Sequence, residues 1–551
     1  MDEKYQKFLD LVVYQIYPRS FQDSNGDGIG DIPGVIGKLD YLYDLGVNAI
    51  WMCPCYKSPN YDNGYDVADY RDIMDEFGTL QDIKTLIHEM HKRGMKLIMD
   101  LVPNHTSDQH MWFQESRKSK DNPYSDYYYW YDEPINDWKS EFGGSAWEYD
   151  ESRGQYYLHS YAIQQPDLNW ENPKVVKEMQ DVVDYWVDLG VDGFRIDVID
   201  QISKDFEGKR NCFGPHLHEY IHALFGREKT KHIFTVGECF TNRIEEIRRH
   251  IAGEREELST LFQFDHMQRG RADKFTPKSE GLKTVRDILV KWQTLMQEQD
   301  LLHALFSDNH DQSPLISRVG NDKEQRYESA TCMATMFYLL KGIPFIFQGQ
   351  ELGIIASEYE DISCFDDIES INAYEAFLKS GLTEKETIGK INFGSRDNAR
   401  RPMPWNGSEF GGFSTVEPWI APSSNLQEIN LEKDLQSEKS VFRFYQEMLK
   451  LRRGHAAFRQ GRIRVVSKSE DNYFVFIREL GEERFIVICN FEQDTEIWDE
   501  DGIDWIAGEN RKVGELVLSN YALGGMKSEA CGGSFRPYEI AVFRQQEKTK
   551  E

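Results

Sequence analysis

Two residues that could do acid–base chemistry stand at the end of a short apolar run, Gly193-Phe-Arg-Ile-Asp197. Side chains two positions apart on a strand point to the same face, so Arg195 and Asp197 would lie side by side. Taken alone, the stretch fits two interpretations. One is a buried ion pair with a structural role, and the other is an active site at the carboxyl end of a strand.

Three other apolar runs also end in residues that carry charge or exchange protons. They contribute Asp100 with Asn104 and His105, then Glu238, then His310 with Asp311. Each buried ion is costly to remove from water, so four carboxylates at strand ends favour a functional site. Paired carboxylates suit cleavage of a glycosidic bond, one as nucleophile or base and one as an acid with a raised pKa. The sequence has no Ser-His-Asp arrangement, zinc-ligand spacing or Gly-rich phosphate loop.

The elements that must position these residues repeat as an amphipathic helix, a glycine and an apolar strand. Thr79 with Asp82 three residues later predicts a capped helix start, and apolar residues recur at i, i+3, i+4 and i+7 from Ile83. Strands alternating with helices indicate a parallel sheet. We therefore predict an α/β fold with a (β/α)₈ TIM barrel. The predicted strands are 47–51, 96–102, the run from 191, 232–238, 304–311 and 344–350.

Two long segments interrupt this repeat, and a different pattern follows it. Residues 105–172 are too long for a structureless loop and predict an inserted subdomain after the third strand. A second, irregular insertion covers roughly 355–440. After residue 460, segments of period two predict a C-terminal antiparallel β-domain. We therefore predict a barrel over 1–104 and 173–460, an inserted subdomain over 105–172, and a C-terminal β-sandwich over 461–545.

Composition narrows the class of protein. The chain has 551 residues and a formal charge of −30, which argues against nucleic acid and against anionic membrane surfaces as partners. It shows no signal peptide and no apolar run long enough to span a bilayer. Its eight scattered cysteines predict free thiols and a cytoplasmic location. A monomer and a homo-oligomer both stay open.

The charged strand ends resemble the signature segments of the α-amylase glycoside hydrolase family, family 13. The four matching segments are Asp100-Leu-Val-Pro-Asn-His105, Gly193-Phe-Arg-Ile-Asp197, Gly237-Glu238 and Asn309-His310-Asp311. An additional family segment resembles Gln165-Pro-Asp-Leu-Asn169. Three further runs resemble the oligo-1,6-glucosidase and α-glucosidase branch: Tyr14-Gln-Ile-Tyr-Pro-Arg-Ser-Phe21, Asp62-Asn-Gly-Tyr65 and Ser395-Arg-Asp-Asn-Ala-Arg400. The resemblance covers nearly the whole chain.

This resemblance implies catalytic roles for three carboxyl groups. Asp197 would be the nucleophile, Glu238 the general acid/base, and Asp311 the group that steadies the distorted sugar ring. Arg195 would orient Asp197 and keep it ionised, for which a guanidinium is well suited. The mechanism would be retaining, through a covalent glucosyl–Asp197 intermediate, with the two carboxyl groups about 5–5.5 Å apart.

The resemblance also implies a blind substrate pocket. Arg400 would pair with Asp62 and block the space beyond one terminal glucose, so the enzyme would be exo-acting. The other residues that would bind this glucose are Tyr65, His105 and His310. Val198, directly after the nucleophile, resembles the residue of α-1,6 enzymes rather than the Ala or Thr of α-1,4 enzymes, and its branched side chain would narrow the aglycone site.

We therefore expect an exo-acting α-glucosidase of the oligo-1,6-glucosidase type, with small α-gluco-oligosaccharides as substrates. An α-1,4-glucosidase and a transglucosidase with sucrose or maltose as donor stay open, because the chain departs from the branch pattern around the aglycone site. These departures are Phe306-Ser-Asp-Asn309, Gln312-Ser-Pro314, Arg401-Pro-Met-Pro-Trp405 and Cys239-Phe-Thr241 after the acid. The sequence shows no basic cluster for a sugar phosphate and no Arg-rich loop of sucrose isomerases. A catalytically silent binding homologue is disfavoured, because the three catalytic carboxyl residues are present.

A loop near the N-terminus has the ligand spacing of a hard-cation site. Its oxygen ligands at positions 1, 3, 5 and 9 are Asp23, Asn25, Asp27 and Asp31. Glycine stands at position 6, where such loops turn sharply, but Gly34 replaces the glutamate of an EF-hand at position 12. Resemblance to the calcium loop of the branch implies a structural calcium ion, with Ile29 contributing its backbone carbonyl. We expect no organic cofactor.

Overall fold

The computed structural model describes residues 6–255, 257–497, 511–521 and 533–547. Eight parallel strands form a nearly closed barrel with the ladder order β6-β5-β4-β3-β2-β1-β8-β7. These strands are β1 (Val13–Ile16), β2 (Ala49–Met52), β3 (Lys96–Leu101), β4 (Gly193–Ile196), β5 (Phe234–Gly237), β6 (Thr260–Leu261), β7 (Ala304–Leu305) and β8 (Ile343–Phe347). Between the two edge strands, the Thr260 hydroxyl donates to the carbonyl of Leu302 at 2.7 Å. The predicted (β/α)₈ barrel is confirmed.

A helix follows each barrel strand in the chain. These helices are α1 (Leu39–Leu45), α2 (Leu80–Lys92), α3 (Pro173–Leu189), α4 (Leu217–Phe225), α5 (Ile244–Ile251), α6 (Leu282–Glu298), α7 (Arg326–Tyr338) and α8 (Val441–Gly454). The predicted capping box at the start of α2 is present, because Thr79 accepts from the backbone of Asp82 and the Asp82 carboxylate accepts from the backbone of Thr79. Gly190 ends α3 with φ 104°, a left-handed conformation that favours glycine.

Alternate residues of the barrel strands pack on opposite sides of the sheet. Trp51, Ile98 and Phe345 belong to the apolar cluster inside the barrel. Their neighbours Ile50 and Leu97 belong to the larger cluster that includes the surrounding helices. This period-two arrangement holds the carboxyl ends of the strands in fixed positions relative to one another.

Three strands differ from the sequence prediction. Strands β1 and β6 were not predicted, because β1 carries a central Gln15 and β6 has two residues. Strand β7 ends at Leu305 instead of 311, because residues 306–311 leave the ladder and contribute side chains to the barrel mouth.

Residues 105–172 contain their own small sheet, as an inserted subdomain requires. It is antiparallel with the order Trp130–Tyr131, Gln155–Leu158, Trp147–Asp150, and the helix Met111–Ser116 lies before it. An antiparallel bridge pairs His105 with Asp167, so the two ends of the insertion meet beside the barrel mouth.

The expectation of an irregular segment at 355–440 is wrong for a large part of it. Two helices, Ile368–Lys379 and Glu384–Gly394, follow one another there, with shorter helices at Asp397–Arg400 and Leu431–Gln436. Most side chains of Ile368–Lys379 are exposed or half-buried, so its apolar periodicity is weak. A local signal was available, because Thr383 and Glu386 form a second capping box.

The C-terminal part is an antiparallel β-domain, as predicted. Its five strands run in the order Arg462–Val465, Tyr473–Leu480, Glu483–Asn490, Ile540–Glu547, Arg511–Ser519. A second sheet pairs Thr495–Ile497 with Gly533–Phe535, and Ile497 and Phe535 share an apolar cluster with Ile477 and Ile488 of the first sheet. The strand Arg511–Ser519 and the second sheet were not predicted. None of the described helices combines the length and apolarity needed to cross a bilayer.

A buried arginine attaches the last barrel helix to the end of α7 and the start of β8. Arg452 on α8 is 1% exposed. Its Nη1 donates to the carbonyls of Tyr338 at 2.9 Å and Leu340 at 3.0 Å, and its Nη2 donates to the carbonyl of Gly342. These three carbonyls are in the buried turn that leads into β8, so Arg452 satisfies acceptors that water does not reach.

We predict that Arg452→Met lowers the stability of the protein by about 3 kcal/mol or more, because it leaves buried carbonyls without donors. The adjacent Arg453 is exposed, and Arg453→Met is the matched control with little expected effect. Urea and thermal unfolding of both full-length variants measure the difference. Equal stability of the two variants would contradict the prediction.

Candidate active site

The register of three neighbouring strands brings the predicted catalytic residues together. Asp100 of β3 lies directly beside Arg195 of β4. The backbone N–H of Asp197 donates to the carbonyl of Leu101 at 2.9 Å, and that of Glu238 donates to the carbonyl of Ile196 at 2.8 Å. Asp197 and Glu238 are therefore the first residues after β4 and β5, and both lie at the carboxyl end of the barrel.

The Arg195 guanidinium is the common partner of three buried carboxyl groups. Its Nη1 lies 2.8 Å from Oδ1 of Asp100 and 2.8 Å from Oδ1 of Asp197, and its Nη2 contacts Oε2 of Glu238. Asp197 and Glu238 therefore share one guanidinium, which holds their two carboxyl groups on the same side of the barrel mouth.

Burial favours the protonated forms of the carboxyl groups in this cluster. It raises the pKa of Asp100 to about 6 and also raises the pKa values of Asp197 and Glu238, while the charge of Arg195 opposes each shift. One guanidinium cannot balance three ionised carboxylates away from water. The cluster therefore retains a proton, which is the state that a carboxylate nucleophile paired with a carboxylic acid requires.

His310 lies in the cluster as a neutral imidazole. Its Nδ1 is 2.8 Å from Nε2 of Gln15, and because an amide nitrogen donates, the ring proton sits on Nε2. That Nε2 is 2.6 Å from the hydroxyl of Tyr65 and 3.2 Å from Oδ2 of Asp311. Burial lowers the pKa of His310 to about 3, so the ring stays uncharged at neutral pH.

Asp311 is held ionised by cations on its other side. Although burial opposes ionisation, the adjacent imidazole of His310 and the charges of Arg396 and Arg400 hold the pKa of Asp311 well below its usual range. Arg400 Nη2 is 3.0 Å and Arg396 Nη1 is 3.5 Å from Oδ1 of Asp311. Asp311 is thus a fixed negative charge opposite the Asp197–Glu238 pair.

The predicted pairing of Arg400 with Asp62 is wrong, and Arg396 makes that contact. Arg396 Nη2 lies 3.4 Å from Oδ1 of Asp62 and 2.6 Å from Oδ1 of Asp367. Arg400 bonds Asp311 and, through Nε at 2.9 Å, the carbonyl of His310. The two arginines stand before and at the end of the short helix Asp397–Arg400, and this helix delivers one to each side of the pocket.

Gln165 links two of the predicted sugar-binding residues. Its Nε2 lies 3.1 Å from Oδ2 of Asp62 and 3.2 Å from Nε2 of His105. Behind it, Asn104 contacts both His105 and Asp167 at 3.1 and 3.3 Å. Gln165 begins the additional family segment, so that segment packs directly against the pocket.

Several residues of the site were not among those predicted from the sequence. Gln15, Gln165 and Arg396 lie inside the quoted family segments, so a signal for them was available. Asp367 and Glu369 lie at the start of the unpredicted helix Ile368–Lys379, and the sequence carried no sign of them.

Val198 has an unusual backbone conformation. Its φ of 32° and ψ of 51° are left-handed, which a β-branched residue rarely adopts and which costs on the order of 1–3 kcal/mol. In this conformation its N–H points to Oε2 of Glu238 at 3.4 Å, and its buried side chain lines the cleft. Strain of this kind concentrates at functional sites.

These groups line one cleft of about 1400 Å³, mouth included. Its wall contains Asp62, Asp197, Val198, Glu238, Asp311 and Arg396 together with the aromatic side chains Tyr161, Phe142, Phe213, Phe240 and Phe264. The Arg396 guanidinium stacks over Phe142 at 5.2 Å. Arg396 also joins Asp62 to Asp367 at this part of the wall.

The N-terminal loop is a succession of turns in which side chains accept from the loop's own backbone. The side-chain oxygens of Asp23, Asn25 and Asp27 each accept the N–H two residues later, at 3.0, 2.9 and 2.9 Å. Asp31 caps the helix Ile32–Gly37 and accepts from Ser24. Among described residues, the carboxylates of this loop do not form a set of three within 4.8 Å of one another. The loop residues are adjacent, with their oxygens engaged in the hydrogen bonds of the loop.

An eight-stranded barrel with an insertion after β3 and buried carboxyl groups at the carboxyl ends of its strands has the architecture of the barrel glycoside hydrolases. The α-amylase catalytic-domain family model matches residues 15–461. The chain therefore belongs to the α-amylase family of glycoside hydrolases.

Relatives match along nearly the whole chain. It is 44% identical over 560 aligned residues to an oligo-1,6-glucosidase of Parageobacillus thermoglucosidasius, covering 97% of this chain and 98% of that protein. The solved trehalose-6-phosphate hydrolase of Bacillus licheniformis is 38% identical with a TM-score of 0.90, covering 98% of this chain and 99% of that one. The trehalulose synthase of Pseudomonas mesoacidophila MX-45 is 36% identical with a TM-score of 0.91 and the same coverage. These relatives differ in activity, so the substrate must be argued from the site.

We predict that the neutral imidazoles of the site make stability fall with falling pH. Burial lowers the pKa of His105 to about 4 and that of His310 to about 3, whereas an unfolded imidazole titrates near pH 6.5. Below about pH 6.5 the unfolded chain therefore binds protons that the folded chain does not, which favours unfolding by up to about 2 kcal/mol per residue at pH 5.

The variants His105→Gln and His310→Gln should each lose less stability between pH 7 and pH 5 than the unmodified protein. Thermal unfolding across this range measures the slope. Exposed His88 supplies the control variant His88→Gln for loss of a surface imidazole. A slope that is unchanged in both site variants would contradict the neutral assignment.

Proposed function

We propose that this protein is a retaining, exo-acting α-glucosidase that hydrolyses terminal α-1,6-linked glucose from isomalto-oligosaccharides. The observation that carries the proposal is the joint contact of Asp197 and Glu238 with one guanidinium, in a cleft whose wall contains the Asp62–Arg396 pair. We infer that this pair closes one end of the cleft, which would then admit a chain terminus rather than a chain interior. The similarity to an oligo-1,6-glucosidase supports the same linkage.

In this proposal the reaction has two displacements. Asp197 attacks the anomeric carbon while Glu238 gives its proton to the leaving glycosidic oxygen, so a glucosyl–Asp197 ester forms and the shortened sugar departs. Glu238, now a carboxylate, takes a proton from water, and the resulting hydroxide displaces Asp197 and releases glucose with its original configuration. Each step inverts the anomeric carbon, so the sum is retention.

Other residues hold the sugar and the charges in place. Arg195 opposes protonation of Asp197, and Asp311 stays ionised opposite the ring, where it offsets the positive charge of the oxocarbenium-like transition state. We assign the terminal glucose to the pocket lined by Asp62, Tyr65, His105 and His310. Arg400 then acts by positioning Asp311 and His310, while Arg396 closes the pocket.

The strained Val198 supports the α-1,6 preference. Its side chain lines the cleft and its N–H points to the carboxyl group of Glu238, so we infer that it borders the leaving sugar. An α-1,6 linkage has an additional rotatable bond with which it can pass this branched side chain. The same intermediate could be captured by a second sugar, so transfer is an outcome of the experiment below.

We further propose three features of the whole chain. The first is the division into a barrel (1–104 and 173–460), an inserted subdomain (105–172) and a C-terminal domain (461–545). The second is a structural calcium ion at Asp23, Asn25, Asp27, the carbonyl of Ile29, and Asp31, supported by the backbone turns of that loop. The third is a cytoplasmic location, supported by the sequence composition.

Side-by-side kinetics on isomaltose, maltose, sucrose and trehalose test the function. We predict the highest kcat/KM on isomaltose. We also predict that Val198→Ala lowers the ratio of kcat/KM on isomaltose to that on maltose about tenfold, because one methylene group in an apolar pocket changes the discrimination between two substrates by about 1–3 kcal/mol. Faster cleavage of maltose by the unmodified protein would reject the α-1,6 assignment. New disaccharides as the main product would show transfer.

Two variants control the mechanism in the same assay. Asp197→Asn should lower kcat on every substrate by about 10⁴-fold or more. Glu238→Gln should lower it by about 10²–10⁴-fold on isomaltose and by less on an aryl glucoside whose leaving group needs no proton. Full activity of Asp197→Asn would exclude the proposed nucleophile.

Chelation tests the calcium site. We predict that removal of divalent ions lowers the melting temperature and that calcium restores it, because an ion that binds the folded state alone stabilises it. Asp27 is exposed, so Asp27→Ala should abolish the calcium-dependent part without disturbing the core. Asp44→Ala, at another exposed carboxylate, is the control, and an equal calcium response in both variants would reject the site.

A further inference from the structure

Two histidines and a glutamate from neighbouring barrel helices meet outside the catalytic cleft. His218 lies on α4, and Glu246 and His250 lie four residues apart on one face of α5. One ligand atom from each lies within 4.8 Å of the others. We call these three residues the α4–α5 cluster.

The two imidazoles are oriented as metal-ligating histidines are. Nδ1 of His218 is 2.7 Å from Oε2 of Glu257, and Nδ1 of His250 is 2.8 Å from the backbone carbonyl of Glu246. Each Nδ1 therefore donates to an oxygen, which leaves the Nε2 lone pair of each ring for another partner. A carboxylate or backbone carbonyl behind the ring is the usual arrangement around a bound metal.

One of these lone pairs lacks a partner in the protein. His250 is completely buried, and its Nε2 has no hydrogen-bond partner. A buried polar atom without a partner costs about 1–3 kcal/mol, and such atoms in folded proteins call for an explanation, including an unseen ion.

Hydrogen bonding alone explains His218 but not His250. The ring of His218 bridges two carboxylates, with Nδ1 at 2.7 Å from Glu257 and Nε2 at 3.3 Å from Oε1 of Glu246. This bridge leaves Nε2 of His250 unsatisfied, although the two rings are only 4.7 Å apart. A cation between the two Nε2 atoms and Glu246 satisfies all three groups.

We propose that the α4–α5 cluster binds a divalent transition metal of the zinc type through Nε2 of His218, Nε2 of His250 and Oε1 of Glu246. Two imidazoles with one carboxylate suit such ions rather than calcium. Zinc–ligand distances of about 2.0–2.2 Å require the three side chains to move together slightly. Glu257 acts as a positioning residue that fixes the ring of His218.

The site lies beside the catalytic cleft and has no part in glycosidic bond cleavage. His218 and Glu246 line a second cavity that shares the wall residues Phe240 and Phe264 with the cleft. Water from this cavity supplies the fourth ligand. The metal ties α4 to α5, the helices that follow the strands of Asp197 and Glu238, and so stabilises this side of the barrel.

Metal titration of the full-length protein tests the proposal. The protein is stripped with a chelator and resaturated with calcium, and then zinc binding is followed by calorimetry and cobalt binding by its visible absorption. We expect one equivalent of zinc per chain, a tetrahedral-type cobalt spectrum and a rise in melting temperature. Because calcium is present throughout, failure of the calcium site or of the proposed glycosidase activity leaves this measurement interpretable.

Partly exposed ligands supply variants that should still fold. His218→Gln and Glu246→Gln should each weaken zinc binding at least about tenfold, and Glu257→Gln should weaken it about 10–100-fold with unchanged stoichiometry. His216→Gln, two residues before His218 and largely exposed, is the matched control. Absence of zinc uptake, or uptake that survives both ligand variants, would overturn the proposal. The contacts of His218 with Glu246 and Glu257 would then be hydrogen bonds alone.

Discussion

The site depends on one guanidinium among three buried carboxyl groups. Arg195 is 2% exposed, and each of its partners would be expensive to bury without it. Removing this cation would leave three carboxyl groups to repel each other in a low dielectric, and the site would protonate further or open. The parallel register of β3, β4 and β5 makes the arrangement possible. It places Asp100 beside Arg195 on one side, and on the other side Glu238 follows two residues after Val236, the partner of Arg195 on β5.

Two further arginines, Arg396 and Arg400, extend this charge balance to Asp62 and Asp311. Arg396 and Arg400 pair with Asp62, Asp367 and Asp311, and these two cations keep Asp311 ionised without cancelling all three negative charges. Arg195 comes from the barrel strand β4, whereas Arg396 and Arg400 come from the long insertion after β8. The chemistry is thereby separated from the closure of the pocket, which suits a family whose members share the reaction and differ in substrate.

The two unusual features near the acid have different physical origins. Val198 is held in a left-handed conformation, so its strain is balanced by the surrounding contacts of the strand end. The α4–α5 cluster instead has an unsatisfied polar atom, which a bound ion would relieve. Both lie just beyond the strands that carry Asp197 and Glu238, where the barrel gives way to loops and helices.

Local patterns in the sequence determined much of this protein. The capping box at Thr79, the glycines that end helices and the apolar runs predicted the barrel and its order, since each depends on residues within a few positions of one another. Carboxylates at strand ends were visible for the same reason, and the barrel rule places them at one mouth. Strands β1 and β6 escaped prediction because their few residues carry no clear period.

Tertiary structure alone decided the contacts between distant residues. The pairing of Asp62 with Arg396 rather than Arg400 joins side chains 334 positions apart, and the two arginines belong to the same motif, so spacing could not distinguish them. The α4–α5 cluster joins His218 to a Glu and a His on another helix. Its geometry follows from how α4 packs beside α5 on the barrel. Such contacts depend on register and packing, which a local pattern does not contain.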